Sequence, residues 1–371
     1  MNARITQIHV KNFRSIAEIR ADLGNLTVLV GKNGAGKSNF VDVLRFVTDA
    51  LQRGLDNAIT ERGGMGRLRR WSKKGRPFDV VITLSFLYGE IKIEYTLTLG
   101  SQKRNEYAVK RESYRYDEIV QYEIENGVWK VEPMGTAIKA QDRTLILPLV
   151  AQRPEIKPFY DFLTATSFYS IFPNDELRNP QRPSNDYPLE RYGRNMASVL
   201  KTFLGVEARR ENMERNLDTA IPGVSGVVVT PVSGFLVTQL KHDDGSLFDL
   251  SQESDGTLRI LALMIALYQE PPRTFLGIEE PELTIHPGAA GILCDVIKEA
   301  ATRSQIIVTT HSPDLISRFD VNDLRVVERT IEGTQIGIVD AAQREAIETH
   351  LFQASDLLRI DGELRRQPSE S

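Results

Sequence analysis

Residues 31–38 read GKNGAGKS, and this octapeptide limits what the chain can fold into more than any other stretch. It fits the pattern G-x-x-x-x-G-K-[S/T], and its flanks are the ones that pattern requires. Before it stands LTVLV (26–30), a continuous apolar run of buried-strand type. After it, from Ser38, the residues Val41, Leu44, Val47, Leu51 and Leu55 recur at helical spacing. A strand, a glycine-rich loop and a helix in that order turn backbone N–H groups into one concavity and add the partial positive charge of a helix N-terminus, so a polyphosphate is the natural occupant. Gly31, Asn33, Gly34, Gly36, Lys37, Ser38 and Asn39 are the candidate cradle. Lys37 would reach the outer phosphates, and the Ser38 hydroxyl would ligate Mg²⁺. The competing reading is a plain glycine-rich turn.

A second stretch, TFLGIEEPELTIHP (274–287), ends an apolar run in two adjacent glutamates. Two like charges at a half-buried strand end are costly unless they are solvated or something positive stands nearby. A nucleotide loop needs a second strand that brings a carboxylate to its magnesium. Glu279 is therefore the expected Mg²⁺ ligand, directly or through water, and Glu280 the group that orients or deprotonates the attacking water. The apolar strand of QIIVTTHSPDL ends at His311, whose imidazole could contact the terminal phosphate; a structural histidine is the alternative. SQESDGTLRILAL places Ser254, Asp255 and Gly256 at the start of an apolar helix, which is both a good N-cap and an anion site.

Composition narrows the class. The 371 residues are 41% hydrophobic and 26% charged with a formal net charge of −4, as in an ordinary globular protein and unlike a polycation built for nucleic acid. Cys294 is the single cysteine, which excludes an internal disulfide and a cysteine zinc site. The N-terminal MNARITQIHVKNFRS lacks the features of a secretory signal, and the apolar run ILALMIALY (260–268) is far short of the roughly 20 residues a membrane span needs, so a cytoplasmic protein without membrane contact is expected.

Elsewhere, alternation in 79–99 and 106–131 predicts an antiparallel meander, and Pro-punctuated helix and loop fill about 140–222. Strands return at 226–250, with HDDG as a hairpin turn. A nearly all-apolar helix (257–269), the glutamate strand, an amphipathic helix (288–301) and the QIIVTTH strand follow. A last strand is expected near 324–329, then a short helical tail and a flexible, charged end, RRQPSES.

Taken in order, the P-loop, SDGTLR, the EEPE…HP stretch and TTHSPDL, opened by NFRS, resemble the RecF/SMC-type branch of ABC ATPases, and more closely the single-head group labelled "AAA family ATPase", over about residues 4–345. The resemblance implies an α/β P-loop NTPase of ABC-ATPase head type, with a mixed central sheet, an antiparallel β-subdomain and a helical lobe. Lobe I would comprise about 1–152 and 272–345, the helical lobe about 153–271, and a C-terminal helix and tail 346–371. It further implies ATP and Mg²⁺, and a head-to-tail homodimer or higher oligomer in which Ser254 and Gly256 of one copy close the site of another. Glu280 would be the hydrolytic carboxylate and His311 the switch histidine. Gln152 is either the Mg²⁺-sensing glutamine or a solvated loop residue. Arg14 either approaches the nucleotide or is an ordinary surface arginine. SDGT in place of SGGQ argues against a transporter subunit, and no acidic cluster for a nuclease domain is expected after the last strand.

Three functions then compete. One is an ATP-driven switch read by a protein effector, of the kind that accompanies nucleases in bacterial defence. Another is a RecF-like repair clamp that contacts DNA through the basic stretch 62–76, with Arg62, Arg67, Arg69, Arg70, Lys73, Lys74 and Arg76 around Trp71. The third is a nucleotide-binding scaffold with negligible turnover.

Overall fold

The structure is a computed structural model and describes residues 3–72, 77–100, 106–134, 143–349, 351–360 and 362–367. Its strands in chain order are β1 (Ala3–Phe13), β2 (Ile16–Asp22), β3 (Leu26–Val30), β4 (Val80–Tyr88), β5 (Ile91–Gly100), β6 (Ala108–Tyr116), β7 (Ile119–Glu125) and β8 (Val128–Val131). There follow β9 (Ser167–Tyr169), β10 (Val224–Val232), β11 (Phe235–His242), β12 (Leu247–Asp249), β13 (Phe275–Glu279), β14 (Gln305–Thr310), β15 (Leu324–Thr330) and β16 (Gly333–Gly337). The chain forms two compact units, Met1–Thr166 with Val321–Ser371, and Ser167–Asp320.

In the first unit the strands run β8-β7-β6-β5-β4-β1-β2-β16-β15-β3. The β4–β8 stretch is the antiparallel meander read from the sequence, whereas β3 pairs with β15 and β16 with β2 in parallel, so the sheet is mixed. Every residue of LTVLV is buried, as a strand covered on both faces must be. Behind it the helix Lys37–Arg53 buries Phe40, Val43, Leu44, Phe46 and Val47. Gly54 ends that helix before Leu55, and a short helix, Leu55–Glu61, continues beyond it. Phe86, Tyr95 and Tyr114 of the meander pack their rings around Phe159 of the helix Lys157–Thr164 at 5.3–5.8 Å between centroids.

The expected helical tail is present as the helices Ala341–Glu348 and Ala354–Ile360, but it does not follow β15 directly, because the chain first turns back as β16, antiparallel to β15. Nor is all of the RRQPSES end loose: Arg365 and Gln367 bond to the backbone at Asp340 and Ile338, Arg366 bridges to Val339, and Leu364 is buried. Backbone pairing and one apolar anchor outweigh the charge of the segment; residues 368–371 lie outside the described residues.

In the second unit β14-β13-β9 form a parallel set and β10-β11-β12 an antiparallel one. The apolar helix Asp255–Tyr268 is buried from Thr257 to Tyr268 and packs against the helix Ala290–Ala300. Residues 272–320, which the resemblance implies belong to lobe I, fall within the second unit, where β13 pairs with β9.

Candidate functional site

In the first unit the loop after β3 has the geometry its glycines call for. Gly34 and Gly36 have φ of 79° and 114°, in the left-handed region that side chains avoid. Gly31 lacks room for another reason: a Cβ there would lie 2.2 Å from the carbonyl oxygen of Val327. The Lys37 Nζ folds back over the loop and donates to the carbonyls of Gly31 (2.6 Å) and Lys32 (3.2 Å). Asn33 and Gly34 are exposed on the loop, and Ser38 is exposed in the first turn of the helix that follows it.

Arg14 occupies the β1–β2 turn with φ 48°, and its guanidinium reaches both Asp42 Oδ2 (2.8 Å) and Asn39 Oδ1 (3.5 Å). It is thus tied to the loop helix and is not an ordinary surface arginine. Asp42, buried in that helix, also receives Arg45 and Arg62. Burial lowers the pKa of Arg14, and Asp42 opposes the shift. Arg62 is pulled down by burial too, but its bonds to Asp42 and Asp49 outweigh this and its pKa is raised. Its side chain is only 5% exposed, so Arg62 leaves the basic surface expected for 62–76. Arg70 bonds the Glu332 carbonyl, Trp71 is 75% exposed, and Lys73, Lys74 and Arg76 lie outside the described residues. Gln152 is exposed on the turn after the 3₁₀ helix Leu147–Val150. That helix is anchored by a residue the sequence reading missed: buried Glu112 accepts the N–H groups of Ile146 (2.7 Å) and Leu147 (2.9 Å) and the hydroxyls of Tyr95 and Tyr122.

In the second unit Glu279 closes β13 opposite Thr309, and Glu280 turns out of the strand with φ 45°. The Glu280 N–H donates to the Thr309 carbonyl at 2.9 Å. His311 follows directly after β14, its Nδ1 3.5 Å from Glu280 Oε1 and 3.8 Å from Glu282 Oε1. Glu282 also accepts the Thr310 hydroxyl (2.5 Å) and the His311 N–H (3.3 Å). The Glu279 carboxylate has a positive partner in Arg191, 3.6 Å away, and Arg259, buried in the apolar helix, donates to the backbone carbonyl of Glu280 at 2.6 Å. Burial lowers the Arg259 pKa to about 10, against the pull of Glu282 and Glu280. The sequence signal for Arg259 was present, a lone cation in an otherwise apolar helix.

Ser254 caps that helix by accepting the Thr257 N–H (3.1 Å). Gly256 is required by a close approach, since a Cβ there would meet the Thr284 carbonyl at 2.7 Å. A cleft of about 510 Å³ opens beside Ser254, Gly256 and Thr257, lined also by Ile260, Thr284 and His286. Among the described residues no group of three or more His, Cys, Asp or Glu forms a ready metal site. The expected donors, a serine hydroxyl and a carboxylate, are of the kind Mg²⁺ uses together with substrate phosphates. No helix among the described residues is long and apolar enough to cross a membrane.

A strand, a glycine loop closed by its own lysine, and a helix, set in a mixed sheet, define a nucleotide-binding P-loop ATPase fold of the SMC-head type. The chain belongs to the family described as "AAA domain, putative AbiEii toxin, Type IV TA system", whose profile matches residues 26–317. It is similar to the Old nuclease of Escherichia phage P2, at 22% identity over 364 residues, covering 85% of this chain and 58% of that protein. It is also similar to the endonuclease GajA of Bacillus cereus (strain VD045), at 23% over 351 residues, covering 88% and 58%. The chain thus spans little more than half the length of these relatives. Among solved structures, an SMC head bound to the C-winged helix domain of ScpA superposes with a TM-score of 0.60 at 16% identity, covering 92% of this chain and 99% of that one. The SMC head domain of Thermotoga maritima gives 0.51 at 14%, covering 91% and 100%.

Proposed function

We propose that the chain is an ATP-driven molecular switch: it binds ATP at the P-loop, dimerises head-to-tail on it, hydrolyses it, and is read in the ATP state by an effector protein. The observation that carries this reading is the loop itself, where Gly31 and Gly36 leave room for nothing but backbone and Lys37 covers the cradle. Gly31, Asn33, Gly34, Gly36, Lys37, Ser38 and Asn39 would hold the nucleotide, and Arg14 would support Asn39. Ser38, Glu279 and Gln152 are assigned to Mg²⁺, which when bound would draw charge from the phosphate oxygens. Glu280 takes the proton of the attacking water, and His311, beside it, donates to the terminal phosphate. Ser254 and Gly256 act on the nucleotide of the other copy.

The names of two relatives, both nucleases, make a nuclease the class of effector we propose, in antiviral defence. The decisive variant is Glu280→Gln. ATP should still bind, turnover should fall at least about a hundredfold, as loss of general-base catalysis does, and dimers should accumulate with ATP in size-exclusion chromatography. A monomer that turns over normally would remove Glu280 from this role.

The second reading, a DNA clamp, draws on exposed Arg67 and Trp71. It requires DNA affinity that falls steeply as salt rises; affinity that is flat with salt, or undetectable at low salt, would dismiss it.

A further inference from the structure

A polar chain beside the loop links Asn39 to two hydroxyls, on Ser15 and Thr334, that have no part in the roles assigned above. The Thr334 hydroxyl on β16 lies 3.0 Å from the carbonyl oxygen of Ala35, which can only accept, so Thr334 donates there. Its single proton spent, Thr334 must accept from Ser15 Oγ at 2.7 Å. Ser15 in turn accepts from Asn39 Nδ2 at 2.7 Å. The donors therefore run one way, from the Asn39 amide through two hydroxyls to the loop carbonyl, an arrangement in which each bond polarises the next. Thr334 is fully buried, and its own N–H is held by the Ser15 carbonyl at 3.0 Å. The same side chain sets the height of the loop, because a Cβ on Gly36 would lie 2.2 Å from Thr334 Oγ1 and 2.6 Å from its Cγ2.

We infer that Thr334 is a positioning residue of the nucleotide loop, an inference that rests on the P-loop reading above. The peptide joining Ala35 to Gly36 is planar and trans, so its C=O and N–H point to opposite sides. With the carbonyl pinned to β16 by Thr334, the Gly36 N–H is turned away from β16, the orientation from which a loop amide can donate to phosphate. Without the pin the peptide can rotate and present its carbonyl dipole to an anion. The β1–β2 turn takes part through Ser15.

Thr334→Val keeps shape and removes the donor. Binding of a fluorescent ATP analogue should weaken about tenfold, the loss of one buried hydrogen bond, and ADP should weaken equally. Turnover at saturating ATP should stay within about twofold, because only binding is affected. Thr334→Ser, which keeps the hydroxyl, should restore affinity. Ser15→Ala, the guard against a misfolded valine variant, should weaken binding in the same direction but less. The inference is overturned if the valine variant binds as the wild type does, if serine fails to restore what valine loses, or if Ser15→Ala leaves affinity unchanged. Wild-type protein that binds no nucleotide would instead overturn the P-loop reading and this inference with it.

Discussion

The adjacent glutamates at the end of β13 face different partners: the Glu279 carboxylate lies beside Arg191 and the Glu280 carboxylate beside His311, while Arg259 holds the Glu280 backbone carbonyl. Arg259 carries more than one duty. It lies over the Phe172 ring at 4.6 Å, and its Nε and Nη1 have no hydrogen-bond partner among the described residues. A buried arginine held this way fixes the turn on which Glu280 sits. Replacing it by methionine should cost about 2 kcal/mol, the worth of a hydrogen bond from a charged group, measurable by urea denaturation, and should lower turnover while ATP affinity holds. Gly36→Ala makes the opposite split. With φ at 114° and Thr334 in the way, nucleotide binding should vanish in calorimetric titration even where the fold survives. At this scale the sequence was most legible where a residue type has one use. The glycines and Lys37 of GKNGAGKS could be read from spacing alone, whereas Ser15, Glu112 and Thr334 are common residues whose meaning comes only from the partners that the fold brings to them.

Elements show the same division. LTVLV and QIIVTT were legible as buried strands because they are short, rich in branched apolar residues and free of charge. β16 was not: GTQIG has one large apolar residue, and its strand conformation comes from pairing with β15 and β2. The polar helix Glu207–Ala220 escaped for a related reason, burying only Met213, Leu217 and Ala220. The meander shows how an element can be held by one group. Burial raises the Glu112 carboxyl above the usual 4.5, although four hydrogen bonds pull it down. A folded-state pKa raised in this way favours the protonated form in the native state. Its contribution to stability is therefore fully present below about pH 4.5 and is lost as pH rises through the folded value. The melting temperature of the wild type should accordingly gain on that of Glu112→Gln as pH is lowered from 8 towards 5. A difference that is constant with pH would show that Glu112 keeps one charge state throughout.

For the whole molecule, ligand linkage offers a test that needs no turnover. ATP at a hundred times its Kd should stabilise the native state by about 2.7 kcal/mol, seen as a higher Tm for the wild type and for Glu280→Gln, and absent in Lys37→Ala. If dimerisation follows binding, the shift in Glu280→Gln should grow with protein concentration, since association adds to linkage. The fold class was legible because four short motifs occur in one order. The division into two units was less so, because the segment 272–320 is placed by helix packing and strand pairing that no local pattern announces.

The returning C-terminal segment has one more consequence. Glu363 pairs with Lys32 of the nucleotide loop at 2.7 Å, and the residues after it are pinned along the 338–340 backbone. A label attached to the segment 363–367 itself is therefore held on the same surface as Lys32. If the loop takes ATP as proposed, the fluorescence of such a label should change when nucleotide is added.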